Sequence, residues 1–182
     1  YYVTATDAQG SDWESPVLVD AVNDVGLHPS LAEVAGSPGI AYYDETNKQL
    51  MFCRALVADG TSWASPLIVD TDTWCGRGTA LTWSDGELWL GYCDWDDSRA
   101  WRIRAGNALA SYWTDRQLIR QKAEWPHIHM ADVNGRVEAL TKDLLNGRPV
   151  CNGDAYTQQT AGPVAIADID GQVGIVFQDY AT

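Results

Sequence analysis

The side chains best suited to chemistry gather between positions 74 and 101: Trp74, Arg77, Asp94, Trp95, Asp96, Asp97 and Arg99. Indole rings beside carboxylates and guanidinium groups suit a sugar, whose CH groups stack on the ring while its hydroxyls bond to fixed polar groups. Trp74 and Trp95 fall in turns and are candidate stacking platforms. Trp83, Trp89 and Trp101 have the strand positions of packing residues, as do Trp13, Trp63 and Trp113. No residues stand at the spacing of a catalytic acid pair, so no catalytic residue is assigned.

Other polar sets carry weaker signals. Asp44, Asp94, Asp143 and Asp179 recur along the chain and could ring a cation such as calcium. The plainer role is to cap a hairpin turn, as in Asp44-Glu45-Thr46-Asn47. Asp132-Val133-Asn134-Gly135 and Asp168-Ile169-Asp170-Gly171 are too short for calcium loops and fit hairpin turns. His28, His127 and His129 stand where strands begin and are weak metal candidates, so no cofactor is expected. Cys75 and Cys93 are expected on one face of the fold and are predicted to form a disulfide worth about 3 kcal/mol. Cys53 and Cys151 are read as buried thiols.

The elements that must position these groups emerge from a repeat. Gly10-Ser11-Asp12-Trp13-Glu14-Ser15-Pro16-Val17-Leu18-Val19-Asp20 recurs 50 residues on as Gly60-Thr61-Ser62-Trp63-Ala64-Ser65-Pro66-Leu67-Ile68-Val69-Asp70, and Trp113 follows after another 50. A second pattern has four copies, ending in Gly36, Gly86, Gly135 and Gly171, each followed eight residues later by one of the recurring aspartates. Strand, glycine turn and strand make a hairpin in every copy, and two further strands complete a four-stranded unit. The third unit is short, so its outer strand in 155–159 must be brief or irregular.

Four-stranded meanders of this length are the size of propeller blades. The expectation is an all-β, single-domain propeller over 1–182, with blade one at 29–70, blade two at 79–120 and blade three at 127–160. Blade four combines 163–182 with 1–20, because the last unit lacks two outer strands and Tyr1-Tyr2-Val3-Thr4-Ala5 matches Met51-Phe52-Cys53-Arg54-Ala55. Sharing one blade between the two ends would close a four-blade ring. A piece of a larger ring, or a half-ring completed by a second copy, are the alternatives. The strand-like opening at Tyr1, without an initiator Met, points to a processed form or a piece of a longer chain.

The turn sequences Gly60-Thr61-Ser62-Trp63 and Gly10-Ser11-Asp12-Trp13 resemble the Asp-box, or BNR, repeat of bacterial secreted propellers, found in sialidases and in many non-enzymatic relatives. Asp59 and Asp7 stand near these glycines but not two positions before them, where the family motif has its aspartate. The resemblance implies the fold and an extracellular or cell-surface location.

Charge narrows the partners. A formal net charge of -13 repels a phosphate backbone, so nucleic acid is not an expected partner. No apolar run reaches the length of a membrane span. The leading expectation is a non-enzymatic, lectin-like module that binds a glycan or another extracellular ligand around blade two. The alternatives are a sialidase-like glycoside hydrolase fragment and an assembly subunit that forms homo-oligomers through blade edges.

Overall fold

A computed structural model describes residues 1–72, 74–152, 154–155 and 160–179. The described residues form an all-β molecule with four antiparallel sheets and no helix. Sheet one contains β1 (Val25–Val34), β2 (Ser37–Asp44), β3 (Gln49–Arg54) and β4 (Leu67–Asp70). Sheet two contains β5 (Cys75–Ser84), β6 (Glu87–Asp94), β7 (Arg99–Ala105) and β8 (Trp113–Gln121). Sheet three contains β9 (Ala123–Val133), β10 (Arg136–Asp143), β11 (Pro149–Cys151) and β12 (Asp154–Ala155). Sheet four has two strands, β13 (Thr160–Ile169) and β14 (Gln172–Asp179).

The four glycine patterns all make the expected hairpins. Ala35-Gly36, Asp85-Gly86, Asn134-Gly135 and Asp170-Gly171 each form a two-residue turn with both φ angles positive. That backbone twist matches the right-handed twist of the flanking strands, and glycine adopts it without steric cost. The recurring aspartates close the next turns from inside. Asp44 accepts from the Asn47 N–H at 2.9 Å, and Asp94 from Asp96 and Asp97 at 3.1 and 3.3 Å. Asp143 accepts from Leu145 and Asn146 at 2.8 and 3.2 Å. All three are buried, so they act as turn caps. The side chain of Asp179 lies outside the described residues, as does 156–159 of the expected outer strand in unit three.

Successive sheets stack through apolar clusters. Val34, Leu50 and Phe52 of sheet one meet Leu88, Leu90 and Tyr92 of sheet two. Cys93 and Ala100 meet Ala123 and Ile128 between sheets two and three, and Leu140 and Cys151 meet Val164 between sheets three and four. The expected Cys75–Cys93 disulfide is absent: all four cysteines are free thiols. The reason is geometric. Cys75 belongs to the cluster facing sheet one and Cys93 to the cluster facing sheet three, so the two point to different sides of their sheet.

The N-terminal segment pairs with itself. Tyr2 bridges Val17 and Ala5 bridges Trp13 in a small hairpin of their own, while β14 pairs only with β13 among the described residues. Among the described residues no pairing joins the two ends into one sheet. The hairpin docks on sheet one, with the Tyr2 ring 5.4 Å from Trp63 and the Tyr42 hydroxyl donating to Asp20 at 2.6 Å. Both contacts recur 50 residues on, where Phe52 lies 5.2 Å from Trp113 and the Tyr92 hydroxyl donates to Asp70. The segment thus touches sheet one as sheet one touches sheet two.

Candidate binding site

The backbone brings Trp74 and Trp95 together at the boundary between sheets one and two. The turn of sheet one ends on Lys48 in a left-handed conformation, φ 58°, and its carbonyl accepts from the Trp74 N–H at 2.9 Å. Trp74 is itself left-handed at φ 69°, a conformation that costs a non-glycine residue about 1–2 kcal/mol. Its carbonyl in turn accepts from the Trp95 N–H at 3.2 Å. These two bonds hold the indole centroids 5.0 Å apart at an interplanar angle of 48°.

Cations brace the pair. The Arg77 guanidinium lies 4.9 Å from the Trp95 ring and 5.4 Å from Tyr43, and the Lys48 ammonium lies 4.8 Å from Trp74. Glu45 joins both cations, accepting from Lys48 at 2.7 Å and from Arg77 Nη2 at 2.9 and 3.0 Å. The hydrogen bond from Lys48, with Arg77 behind it, holds the Glu45 carboxyl below the usual carboxylate range against the opposing effect of burial. Trp95 keeps 38% of its surface exposed. The result is a fixed indole platform beside a Glu45–Arg77–Lys48 triad of donors and acceptors.

Of the residues predicted from sequence, Trp74, Arg77 and Trp95 converge. Asp94 does not join them: it is turned inward, and burial raises its carboxyl pKa despite the N–H bonds from the Asp97 and Asp96 backbone. Asp96 is exposed, and Asp97 pairs with Arg99 at 2.7 Å. Glu45, Lys48 and Tyr43 were not predicted, because they belong to the preceding sheet and only the stacking of sheets brings them to Trp74.

A second polar knot lies nearby. Arg116 stacks 3.9 Å from the Trp101 ring, pairs with Asp72 and approaches Asp70 at 3.3 Å. Asp70, Asp72 and Cys75 hold potential ligand atoms within 4.8 Å of one another. Arg116 already supplies the positive charge between the two carboxylates, and the buried Cys75 thiol is pushed well above its ordinary pKa, first by burial and then by Asp70. The cluster fits a structural ion pair better than a metal site. His28, His127 and His129 form no shared donor cluster among the described residues. Of the tryptophans expected to pack, Trp83, Trp101 and Trp113 lie on the first apolar cluster, whereas Trp89 lines a cleft and Trp13 is 57% exposed.

One signal was missed in the turns. In three copies a residue three before a left-handed glycine or alanine offers its carbonyl to that residue's N–H: Asp7 to Gly10, Val57 to Gly60 and Asn107 to Ala110, at 3.3, 3.2 and 3.0 Å. A side chain caps each turn. Asp7 accepts from Ser11 N–H at 3.0 Å, Asp59 from Thr61 N–H at 3.0 Å, and Asn107 from Ser111 N–H at 3.1 Å. An amide in the third copy replaces the carboxylate, which hides the repeat from a search for aspartate. No protein-family model matches the chain, and no curated protein matches it.

Proposed function

We propose that this chain is a non-enzymatic extracellular module that recognises carbohydrate at the Trp74–Trp95 platform. The observation that carries the reading is Trp95, an indole fixed by Trp74 and Arg77 yet 38% exposed, with a charged hydrogen-bonding triad beside it. A pyranose stacks its CH face on such a ring and directs hydroxyls to Glu45, Arg77 and Lys48. A glycan array followed by titration of the best ligand tests this. Binding that falls at least about tenfold in Trp95→Ala supports it, since one stacked ring contributes about 1–3 kcal/mol on the scale of base–aromatic stacking. An array without a response, or an unchanged response in that variant, removes it.

The hydrolase reading fares worse. A sialidase-like mechanism needs an accessible tyrosine nucleophile, but the Tyr92 hydroxyl beside Asp70 and Arg116 is fully buried. Burial first, and then Asp70, push its pKa above the ordinary phenol value. The same Tyr–Asp pair at Tyr42 and Asp20 marks it as a device that joins sheets.

The sheets are proposed to be blades of a four-blade ring of the Asp-box type, a reading supported by the three capped turns. In the first sheet Ala41 pairs with Phe52 and Ile40 with Cys53. Carried to the repeat-equivalent strands, that register sets Val176 opposite Tyr2 and Ile175 opposite Val3. Val176 is 68% exposed on a β14 edge that pairs with no third strand among the described residues, and Val3 is 41% exposed. A Tyr2→Cys, Val176→Cys double variant is expected to cross-link within one chain on oxidation. A cross-linked dimer would instead favour the assembly reading, in which a second copy supplies the strand.

A further inference from the structure

A cleft of about 500 Å³ opens between sheets two and three, on the side of the two-residue turns and away from the Trp74–Trp95 platform. Trp89, Arg102 and Ile119 line it from sheet two, and Arg136, Val137 and Asn152 from sheet three. It exists because the repeat breaks here. Between sheets one and two, the position opposite Ala41 is Phe52, which is 1% exposed under Trp113. One repeat later the position opposite Gly91 is Arg102. The third unit has no tryptophan after Trp125 to cover it. A site that elsewhere is closed apolar core is here an open polar groove, and breaks in an otherwise consistent pattern concentrate at functional sites.

Two guanidinium groups, Arg102 and Arg136, and two carboxylates, Asp85 and Glu87, line the groove. Arg102 lies 5.1 Å from the Trp89 ring and donates from Nε to Gln117 at 3.0 Å, with a long contact of 3.4 Å from Nη1 to the Val137 carbonyl. Both acceptors are neutral. The Arg136 side chain makes no hydrogen bond or ion pair with any described residue. Glu87, by contrast, is already paired with Arg104. Arg102 and Arg136 thus line the cleft without a carboxylate partner among the described residues, and guanidinium groups suit planar anions.

We propose that this cleft binds a small carboxylate-bearing ligand, with Arg102 and Arg136 gripping the carboxylate and Asp85 facing its hydroxyl groups. Asp85 disfavours a dianionic phosphate, and the volume accommodates a single hexuronate ring. This site is independent of the Trp95 reading. Calorimetric titration of the full chain with glucuronate, glucose and inorganic phosphate tests it. Glucuronate is expected to bind at least about tenfold more tightly than glucose or phosphate, and to weaken about tenfold to a hundredfold in both Arg102→Gln and Arg136→Gln. Arg136 sits exposed beside a turn, so its variant keeps the fold even if Arg102→Gln does not. Running the same titrations in a Trp95→Ala background removes the pyranose platform, so glucuronate binding read there belongs to this cleft. In that background, absence of glucuronate binding, equal binding of glucose, tighter binding of phosphate, or an unaffected Arg136→Gln would each overturn the proposal.

Discussion

Removing one hydroxyl at Tyr92 tests how the sheets are joined. Tyr92 is fully buried, and its hydroxyl donates to Asp70, itself 8% exposed. In Tyr92→Phe the Asp70 carboxylate keeps the Asp72 N–H at 3.0 Å and Arg116 at 3.3 Å but loses its third partner. A hydrogen bond to a buried charged group contributes about 1.5–3 kcal/mol, so a loss of about 2 kcal/mol is expected. The repeat-equivalent Tyr42→Phe removes the same bond to Asp20, which is only half-buried, and should cost about 1 kcal/mol or less. Urea unfolding followed by tryptophan fluorescence reads both. With a urea slope of about 2 kcal/mol/M, the midpoint of Tyr92→Phe should fall by about 1 M at unchanged slope, and that of Tyr42→Phe by half of that or less. Equal shifts in the two variants, or a Tyr92→Phe shift under about 0.2 M, would show that burial of the acceptor does not set the strength of this joint.

Phe52→Ala should cost about 3–5 kcal/mol, because it empties a closed site under Trp113, whereas Tyr2→Ala, at a half-exposed ring against Trp63, should cost about 1 kcal/mol; denaturant midpoints separate the two. Burial lowers the pKa of His28 and His127 below 6.5, with Arg77 and Lys142 respectively adding to the effect. The folded state therefore binds fewer protons than the unfolded chain. The stability these two contribute is present above pH 6.5 and is lost as pH falls below it, so the melting temperature should drop between pH 7 and 5, and less so in a His28→Gln, His127→Gln variant. Burial pushes the thiol of Cys53 up to about 11 and that of Cys93 up to about 12. No thiol should react with a disulfide reagent in the native protein at pH 8, and all four should react in denaturant without reductant; fewer than four would restore the disulfide expectation.

Local patterns were legible because their causes are local. An x-Gly pair between alternating apolar residues specifies a hairpin whatever surrounds it, so all four hairpins could be read, with the aspartate eight residues later as the cap of the next turn. Trp74, Arg77 and Trp95 could be named because they fall near one another along the chain. The Asn107 turn escaped, since its hydrogen bonds are made by an amide that carries no aspartate signature.

Everything that depends on which sheet lies beside which required the tertiary structure. Glu45 and Lys48 reach the indole pair from another sheet, and Cys75 and Cys93 are parted by the alternation of faces along adjacent strands. The docking of residues 1–20 on sheet one likewise turns on contacts between residues far apart in sequence. Hydrogen bonding and strand alternation act over a few residues and so leave a mark on the sequence. The stacking of sheets is set by non-directional burial of apolar surface, which many arrangements of the same strands satisfy until the whole molecule is assembled.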